Sequence, residues 1–319
     1  MRLVVRLLLL LSAPVSLLAQ ARQEFTAVHM GVQVRIVLYA PSVAVGRSAA
    51  RAAFGRIAEL DDKMSAYRPS SEVRRLSGRP GEWQAVSRDL LHVLLRAREL
   101  SDASGGAFDV TVGPLVQLWR VARDSGHLPD SAALAEARAR SGRTLMEIDS
   151  ARSQVRLAVP GMQIDLGGIA KGYILQQGLE ALRVNGVNSA MIEAGGDVVV
   201  GAAPPRTAGW SILILDADSA VRSRSNALAN VAIATSGGSE QFVEIDGVRY
   251  SHVIDPRTGL GVTGSHIVTV IARDAALADA LATAFSVLGP AGVDPLKRRY
   301  PDALVALRRG DQPLREPGR

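Results

Sequence analysis

The segment Ile164-Asp165-Leu166-Gly167-Gly168-Ile169-Ala170-Lys171-Gly172 joins an apolar run to a helical pattern through two adjacent glycines. It predicts a strand over 162–166, a turn at the glycines, and a helix that ends near Asn185-Gly186, where residue types common at helix stops occur. Glycine lets the backbone approach a ligand closely, and the N–H groups at a helix start attract anions. The segment therefore suits a phosphate group, and a plain strand-to-helix turn is the alternative.

Lys171 strengthens the phosphate interpretation, because lysine is rare in this chain. Only three lysines occur among the 37 basic residues, namely Lys63, Lys171 and Lys297. A lysine directly after the glycine turn would place a compact positive charge beside a bound anion. The spacing matches neither the GxxxxGK[ST] loop nor the GxGxxG fingerprint, so the common nucleotide-binding folds are not indicated.

Hydrophobic periodicity assigns the rest of the chain to short strands and separate helices. Helices are predicted over 46–64, from Ser87 onward, over 131–140 and over 274–288. Strands are predicted over 32–38, 144–148, 154–158, 162–166, 189–193, 198–201, 210–215, 231–235, 242–245 and 266–272. Runs of strands with helices between them indicate an α+β protein, with antiparallel or mixed sheets flanked by helices.

The two ends of the sequence differ from its centre. Arg2 and Arg6 precede an apolar run, and Ala19-Gln20-Ala21 has the small residues of a cleavage site. This pattern predicts a secretory signal peptide over 1–21 and export to the periplasm or the outer face of a membrane, with a retained N-terminal anchor as the alternative. Residues 22–319 are expected to form one domain or two lobes in close contact, with a frayed tail from Gly310.

Composition excludes several classes of function. The chain has no cysteine, so disulfides, thiolate nucleophiles and cysteine-bound metals are ruled out. The formal net charge is +6, but the arginines are scattered and only 4% of the residues are aromatic. Nucleic-acid binding is not expected without a basic stripe or a stacking platform. Ser70 and Ser71 have no accompanying His-Asp pair, so serine hydrolysis is not indicated either.

Three groups of residues are candidates for chemistry. Asp279 and Thr283 lie four residues apart on a predicted helix, so both project from one face, and their oxygens suit Mg²⁺. An exposed Asp beside a Thr bonded to its own backbone is the alternative. Phe108 and Asp109 lie in a Gly-rich loop, where a core residue and a turn residue are the alternative. His252 lies on a predicted loop, where it would pass a proton, fix a phosphate or be structural.

Eight short motifs occur in a fixed order along the chain. They are His29-Met30-Gly31, Met64-Ser65-Ala66-Tyr67-Arg68-Pro69-Ser70-Ser71-Glu72, Gly105-Gly106-Ala107-Phe108-Asp109-Val110-Thr111-Val112-Gly113-Pro114, the glycine segment quoted above, Glu193-Ala194-Gly195-Gly196-Asp197, Thr235-Ser236-Gly237, His252-Val253-Ile254-Asp255-Pro256-Arg257-Thr258-Gly259 and Asp279-Ala280-Leu281-Ala282-Thr283. In this order the motifs resemble the ApbE family of FAD:protein FMN transferases. The resemblance extends from about residue 30 to about residue 289.

The resemblance implies a Mg²⁺ site and an FAD site. Asp279 and Thr283 would be metal ligands, joined by the carbonyl oxygen of Gly168 and assisted by that of Ala282. The position of Gly168 is often Ala or Thr in relatives, and glycine offers only its backbone there. The residues implied in FAD binding are Met30, Tyr67, Ala107, Phe108, Asp109, Asp165, Lys171 and Ile254. Asp279 and His252 are the two candidates for the base that accepts the proton of the attacking hydroxyl.

The function implied by the resemblance is Mg²⁺-dependent transfer of FMN from FAD to a Thr or Ser hydroxyl of an acceptor flavoprotein. A phosphoester forms and AMP is released, so catalysis rests on charge neutralisation and in-line positioning. Two alternatives are an FAD pyrophosphatase that yields FMN and AMP, and a non-catalytic FAD-binding protein. The implied partner is an exported flavoprotein such as a subunit of a membrane redox complex. Many relatives are lipoproteins anchored through a cysteine, an anchor that this cysteine-free sequence excludes.

Overall fold

The computed structural model describes residues 20–215, 222–237, 242–264 and 266–309. The expected signal peptide, apart from its last two residues, and the tail from Gly310 lie outside the described residues. The α-helices are α1 (Val43–Met64), α2 (Glu72–Ser77), α3 (Arg88–Ala103), α4 (Gly113–Ser125), α5 (Ser131–Ala139), α6 (Ala170–Val184), α7 (Ala275–Leu288) and α8 (Val293–Arg299). None of these described helices is both long enough and apolar enough to span a membrane.

Antiparallel strands form the centre of the molecule. The strands are β1 (Ala21–His29), β2 (Val32–Ala40), β3 (Gln84–Ala85), β4 (Met146–Asp149), β5 (Gln154–Leu157), β6 (Ala190–Ala194), β7 (Asp197–Val200), β8 (Trp210–Leu215), β9 (Arg222–Leu228), β10 (Val231–Gly237), β11 (Phe242–Ile245), β12 (Val248–Ile254), β13 (Gly261–Thr263), β14 (His266–Ala272) and β15 (Leu304–Arg309). The largest sheet has seven strands in the order β1-β2-β6-β7-β10-β14-β15. Smaller sheets are β11-β12-β13, β3-β5-β4 and the hairpin β8-β9.

The seven-stranded sheet has apolar side chains on both faces. On β2, Val34, Ile36 and Leu38 alternate with their neighbours and point into the main core, as the two-residue period of a strand requires. Helices α1, α6 and α7 pack on that face. Val37 points to the opposite face, where Trp210 of the β8-β9 hairpin belongs to the same apolar cluster. The hairpin therefore covers the face that the helices leave open.

Helix α6 packs unusually close to its neighbours because two of its residues are glycines. A Cβ atom on Gly172 would lie 2.1 Å from the carbonyl oxygen of Ala275 at the start of α7. A Cβ on Gly178 would lie 2.8 Å from Cδ1 of Ile57 on α1. Larger side chains would have to push the helices apart, which destabilises a packed core. Gly172 therefore lets the first turn of α6 lie against the first turn of α7, and Gly178 lets α6 lie against α1.

The predicted α+β class with antiparallel sheets and flanking helices is confirmed. The helix after the glycine segment ends at Val184 with Asn185 as its C-cap, as predicted. Ser87 caps α3, and α7 begins directly after Asp274, also as predicted.

The predicted strand over 162–166 is wrong. Only an isolated parallel bridge between Val112 and Gln163 occurs there. The backbone instead bonds to the preceding loop, since the N–H of Asp165 donates to the Val110 carbonyl at 2.8 Å. An apolar run of this length is compatible with a strand or with a buried irregular segment, and the periodicity alone does not distinguish the two.

Several elements were missed by the periodicity analysis. The strands β1, β3, β9, β12, β13 and β15 and the helices α2, α4 and α8 were not predicted. Helix α4 nevertheless has clear end signals, because Pro114 lies in its first turn and Gly126 ends it at φ 72°. His252 lies within β12 and not on the predicted loop.

Candidate active site

A cavity of about 600 Å³ collects most of the residues that the sequence singled out. The predicted site residues on its wall are Tyr67, Ala107, Phe108, Asp109, Asp165, Gly168, Lys171, His252, Ile254, Asp279 and Thr283. They come from three loop segments, from helices α6 and α7 and from strand β12, which are distant in sequence. The fold thus brings together residues that the sequence could only place in order.

Two predicted site residues do not lie on this wall. Met30 occupies the turn between β1 and β2 at φ 54°, and its N–H donates to Asp61 Oδ2 at 3.0 Å. Ala282 is only 1% exposed and belongs to the main core. The carbonyl oxygen of Ala282 accepts a hydrogen bond from Ser286 Oγ at 2.9 Å. The FAD contact of Met30 and the metal contact of Ala282 stay predictions.

Asp279 is a buried carboxylate that satisfies the start of another helix. Asp279 lies in the second turn of α7 and is only 7% exposed. Its Oδ2 accepts the N–H of Gly172 at 3.0 Å. Helix α6 has Ile169 at its N-cap position, which provides no side-chain hydrogen bond. Asp279 therefore supplies from α7 the acceptor that a Ser or Asp at the N-cap normally supplies.

The backbone N–H groups around the start of α6 are largely occupied by the protein itself. The bonds run from Gly167 to Asp165 Oδ1, from Ile169 and Ala170 to the Leu166 carbonyl, and from Gly172 to Asp279 Oδ2. These four groups are not available to a phosphate. The expectation that these N–H groups would bind a phosphate is wrong for these four. The anion that accepts the Gly172 N–H at this helix start is the carboxylate of Asp279.

Lys171 is held in place by a buried partner that the sequence analysis did not identify. Its Nζ lies 3.0 Å from Asp197 Oδ2 and donates to the Gly195 carbonyl at 3.2 Å. Asp197 is 2% exposed, and its Oδ1 accepts the N–H of Thr235 at 3.1 Å. The only sequence signal was an acidic residue directly after Gly195-Gly196, which is equally typical of a turn.

Asp197, Asp279 and Lys171 form a cluster of three charged groups at the cavity, and the pKa of each is affected by at least one of the others. Burial raises the pKa of Asp197 above its ordinary value, although the nearby Lys171 opposes the shift. Burial and the negative charge of Asp197 together raise the pKa of Asp279 to about 7. Burial works to lower the pKa of Lys171, but the charges of Asp197 and Asp279 outweigh it and raise that pKa. Two carboxylates and one ammonium leave a surplus of negative charge when all three are ionised.

The cluster fits a hard divalent cation with few protein ligands. A Cβ on Gly168 would lie 2.9 Å from Thr283 Oγ1 and 3.2 Å from Phe108 Cε2, so this glycine sits directly beside the threonine. The carboxylate of Asp279, the hydroxyl of Thr283 and a backbone carbonyl are oxygen donors of the kind that Mg²⁺ prefers. Within the described ranges, no group of three or more His, Cys, Asp or Glu side chains forms a metal centre. Any metal here would thus complete its shell with substrate or water oxygens.

The loop that carries Phe108 and Asp109 is shaped by its own hydrogen bonds. Asp109 Oδ1 accepts from the N–H of Thr111 at 2.8 Å and from its hydroxyl at 2.7 Å. Asp165 accepts the Gly167 N–H in the same manner at 2.8 Å. Both aspartates therefore act as turn formers, the alternative that the sequence allowed for Asp109. Their contacts with FAD, and that of the buried Phe108, stay predictions.

Helix α4 contributes residues to the cavity that sequence reasoning missed. Trp119, Arg120 and Arg123 lie on its wall. Tyr67 is 75% exposed, and the guanidinium carbon of Arg120 lies 4.5 Å from the centroid of its ring. Arg120 and Arg123 are three residues apart, so they share one face of α4. This spacing would have indicated a pair of cavity residues if α4 had been predicted.

Strand β12 completes the wall with two predicted residues. His252 and Ile254 both lie on the cavity wall, on a stretch of β12 where the pairing with β13 shifts register. The side chain of His252 is exposed, whereas Ile254 is buried against α4 and α5. An imidazole on the cavity wall is placed to exchange a proton with a bound group.

Comparisons with known proteins agree with this arrangement. The sequence model of the ApbE family matches residues 30–306. The chain is 33% identical over 291 residues to an FAD:protein FMN transferase of Treponema pallidum (strain Nichols), covering 85% of this chain and 80% of the relative. It is 32% identical over 306 residues to one of Klebsiella pneumoniae (strain 342), covering 93% and 92%.

Two solved structures share the fold. The flavinyl transferase ApbE of Pseudomonas stutzeri superposes with a TM-score of 0.76 at 27% identity, over 92% of this chain and 96% of that one. The ApbE protein of Thermotoga maritima gives 0.77 at 30% identity, over 91% and 97%. Both likenesses extend over nearly the whole described chain.

Proposed function

We propose that this chain, which belongs to the ApbE family, transfers FMN from FAD to a partner protein in the cavity described above. It is a transferase, as its curated relatives are. The observation that carries the proposal is the convergence of eleven residues expected at an FAD and metal site on one cavity of about 600 Å³. A volume of this size is typical of small-molecule sites.

Mg²⁺ is the proposed cofactor. Asp279, Thr283 and the carbonyl oxygen of Gly168 would hold it, and the negative surplus of the Asp197, Lys171 and Asp279 cluster favours a cation. When bound, the ion would neutralise charge on the pyrophosphate of FAD. The protein's own contribution is rigidity, because the close packing at Gly172 and the Gly172–Asp279 hydrogen bond fix the carboxylate relative to α6.

The proposed reaction is an in-line displacement at phosphorus. The hydroxyl oxygen of a Thr or Ser on the acceptor forms a bond to the phosphorus on the FMN side, and the bond from that phosphorus to the AMP oxygen breaks. AMP leaves with the bonding electron pair, and the hydroxyl proton passes to a base. His252 and Asp279 are the two cavity residues proposed for that role. Most of the rate enhancement would come from positioning and charge stabilisation.

The proposed partner is an exported flavoprotein that carries a Thr or Ser in a short motif, such as a subunit of a membrane redox complex. The signal-like start of the sequence supports a site of action in the periplasm or on the outer face of a membrane. Enzyme and acceptor would then meet in the same compartment. Fractionation of cells that express the full chain, followed by detection of the mature protein, tests this location.

Intact mass spectrometry tests the proposed reaction. A threonine-bearing acceptor domain is incubated with the protein, FAD and Mg²⁺, and AMP is measured in the same sample. We expect a mass gain equal to one FMN on the acceptor, with an equal amount of AMP, and neither product in EDTA. AMP with free FMN and unmodified acceptor would indicate the pyrophosphatase instead. Intact FAD that stays bound would indicate a binding protein.

A further inference from the structure

The start of α6 offers a bound pyrophosphate only part of its N–H groups, so other positive groups on the cavity wall become relevant. FAD carries a dianionic pyrophosphate, and four N–H groups of the glycine segment already donate to protein acceptors. Lys171 is ion-paired with the buried Asp197, so its charge is already balanced. Besides a metal ion, the cations that remain on the wall of this cavity are Arg120 and Arg123.

Arg120 is positioned for an anion by its contact with Tyr67. Its guanidinium carbon lies 4.5 Å above the aromatic ring, and no carboxylate lies within ion-pair distance of it in the part of the chain that the structure describes. A guanidinium that lies flat on an aromatic ring keeps its in-plane N–H donors for another group. These donors form a planar fork that matches two oxygens of a phosphate.

Arg123 is the second arginine on this wall and is less well placed to bind the same phosphate. It lies one turn further along α4 on the same wall, and its Nε is 3.9 Å from Asp124 Oδ1, a loose and exposed pair. Such a pair contributes little and is easily exchanged for a phosphate. Arg120 is therefore the principal residue and Arg123 a secondary one.

We propose that Arg120, held by stacking on Tyr67, binds a phosphate of the pyrophosphate of the dinucleotide substrate. The inference rests on the proposed function, since it assumes that FAD is the ligand of this cavity. Arg120 then supplies one of the charges that hold the leaving nucleotide, while the metal is held on the Asp279 side. Its role is to bind and orient the pyrophosphate, and no proton passes through it because a guanidinium stays protonated.

Binding measurements without turnover test the proposal. Dissociation constants for FAD and for riboflavin, which lacks phosphate, are measured by flavin fluorescence in EDTA. The proteins are the wild type, Arg120→Ala, Arg120→Lys and Arg47→Ala, the last an exposed arginine on α1 that does not line the cavity. We expect Arg120→Ala to weaken FAD roughly tenfold to a hundredfold, the scale of a lost hydrogen bond to a charged group. Arg120→Lys should recover part of the loss, and Arg47→Ala should match the wild type.

Riboflavin separates phosphate binding from a structural role. Its affinity should not change in Arg120→Ala, and the difference in FAD affinity between wild type and variant should shrink as salt rises. An unchanged FAD affinity in Arg120→Ala, or equal losses for FAD and riboflavin, would overturn the assignment while leaving the proposed function intact. If the wild type itself bound no FAD, the proposed function would fail together with it.

Discussion

Helices α6 and α7 start side by side, yet their first turns are satisfied in different ways. At α7 the N-cap residue Asp274 accepts the N–H of Leu277 at 3.0 Å, which is a local arrangement. At α6 the N-cap residue is Ile169, and the acceptor for Gly172 is Asp279 of the other helix. Gln176 of α6 in turn accepts the N–H of Ala275 at 2.7 Å, so each helix helps to satisfy the start of the other.

The cap at α7 stabilises the fold, whereas the acceptor at the start of α6 is also part of the candidate active site. Asp274 caps its own helix and also pairs with Arg96 of α3, but it lies outside the cavity wall, so it serves the stability of the fold. The distant acceptor at α6 fixes a buried carboxylate at the cavity, beside Lys171 and Asp197, where its charge is costly for the fold. A protein tolerates such a cost where the charge serves binding or catalysis. The two helix starts should therefore respond differently to the same kinds of substitution.

The largest effect is expected at the distant acceptor. Asp279→Asn keeps an oxygen that accepts the Gly172 N–H but removes the charge that a metal requires. We expect FMN transfer to fall by roughly a hundredfold or more, the scale of losing a group that stabilises transition-state charge. The unfolding midpoint near neutral pH should not fall below that of the wild type, because asparagine keeps an acceptor for Gly172 and carries no buried charge. Initial rates of acceptor labelling over a Mg²⁺ titration provide the measurement.

Asp274→Asn is the matched control, because asparagine also caps helices well and Asp274 lies outside the cavity wall. Its transfer rate should equal that of the wild type. Full Mg²⁺-dependent transfer by Asp279→Asn would remove the assignment of Asp279 as a metal ligand.

The next effect concerns the close contact between the two helix starts. Gly172→Ala would place a Cβ 2.1 Å from the Ala275 carbonyl oxygen, and backbone atoms cannot move aside as a flexible side chain does. We expect the free energy of unfolding to drop by about 1–3 kcal/mol, as in other overpacked cores. Urea denaturation followed by circular dichroism measures it.

Gly55→Ala provides the opposite case. Gly55 is an exposed residue of α1, and no atom lies within 4 Å of the position of an added Cβ. There the substitution should stabilise by about 0.5–1 kcal/mol, since alanine is the better helix former. The same sign for both substitutions would show that the α6–α7 contact is looser than described.

A smaller effect is expected at the local cap. Asp274→Ala removes the acceptor for Leu277 and the ion pair with Arg96. The loss of unfolding free energy should be about 1 kcal/mol, typical of an N-cap, with unchanged FMN transfer. Asp130→Ala, at the cap of α5, should cost a similar amount. A loss of transfer activity in Asp274→Ala, with Asp130→Ala unaffected, would mean that the two helix starts are not functionally distinct.

The last prediction is a pH dependence of stability in the metal-free protein. The raised pKa of Asp279, about 7 against an ordinary value of 3.8, means that the folded state holds an extra proton between those values. Since the folded state binds more protons there, the free energy of unfolding should fall as pH rises through this window. Asp279→Asn should flatten the slope when denaturation is measured in EDTA from about pH 5 to pH 8. An unchanged slope in this variant would place the titration on another group.

Asp89, in the first turn of α3, shows the opposite pKa shift from Asp279. Burial works to raise the pKa of Asp89, but hydrogen bonds from Tyr173 and Arg56 outweigh it and lower that pKa. The stabilisation by Asp89 is therefore present above its unfolded-state pKa and is lost as pH falls through the lowered one. Asp89→Asn should lower the free energy of unfolding near neutral pH and reduce its further fall as the solution is made acidic, measured by urea denaturation from about pH 2 to pH 7.

Local signals in the sequence predicted the start of α7 but not the hydrogen bond that completes the start of α6. The Asp274 start and the Asn185 stop were predictable because caps depend on residues within one turn. The acceptor of the Gly172 N–H lies 107 residues away, and no local pattern reports such a bond. The phosphate interpretation of the glycine segment stays a prediction, although four N–H groups of that segment already donate to protein acceptors.

The site was predictable as a set of residues but not as an arrangement. The ordered motifs of the ApbE resemblance named eleven residues that the fold does bring to one cavity. The arginines of α4 were missed because the helix itself was missed, and Asp197 because an acid after two glycines resembles a turn. Charge balance between distant groups is a property of the folded chain, so only the structure shows that Lys171 is already paired.

A crystal structure of the protein with FAD and Mg²⁺ tests most directly the claim that a carboxylate of the protein is the anion at the start of α6. The account predicts that the Gly172 N–H still donates to Asp279 and that the pyrophosphate contacts the metal and the Arg120 side of the cavity. Phosphate oxygens within hydrogen-bond distance of the N–H groups of Gly167, Ala170 and Gly172, with Asp279 displaced, would contradict it.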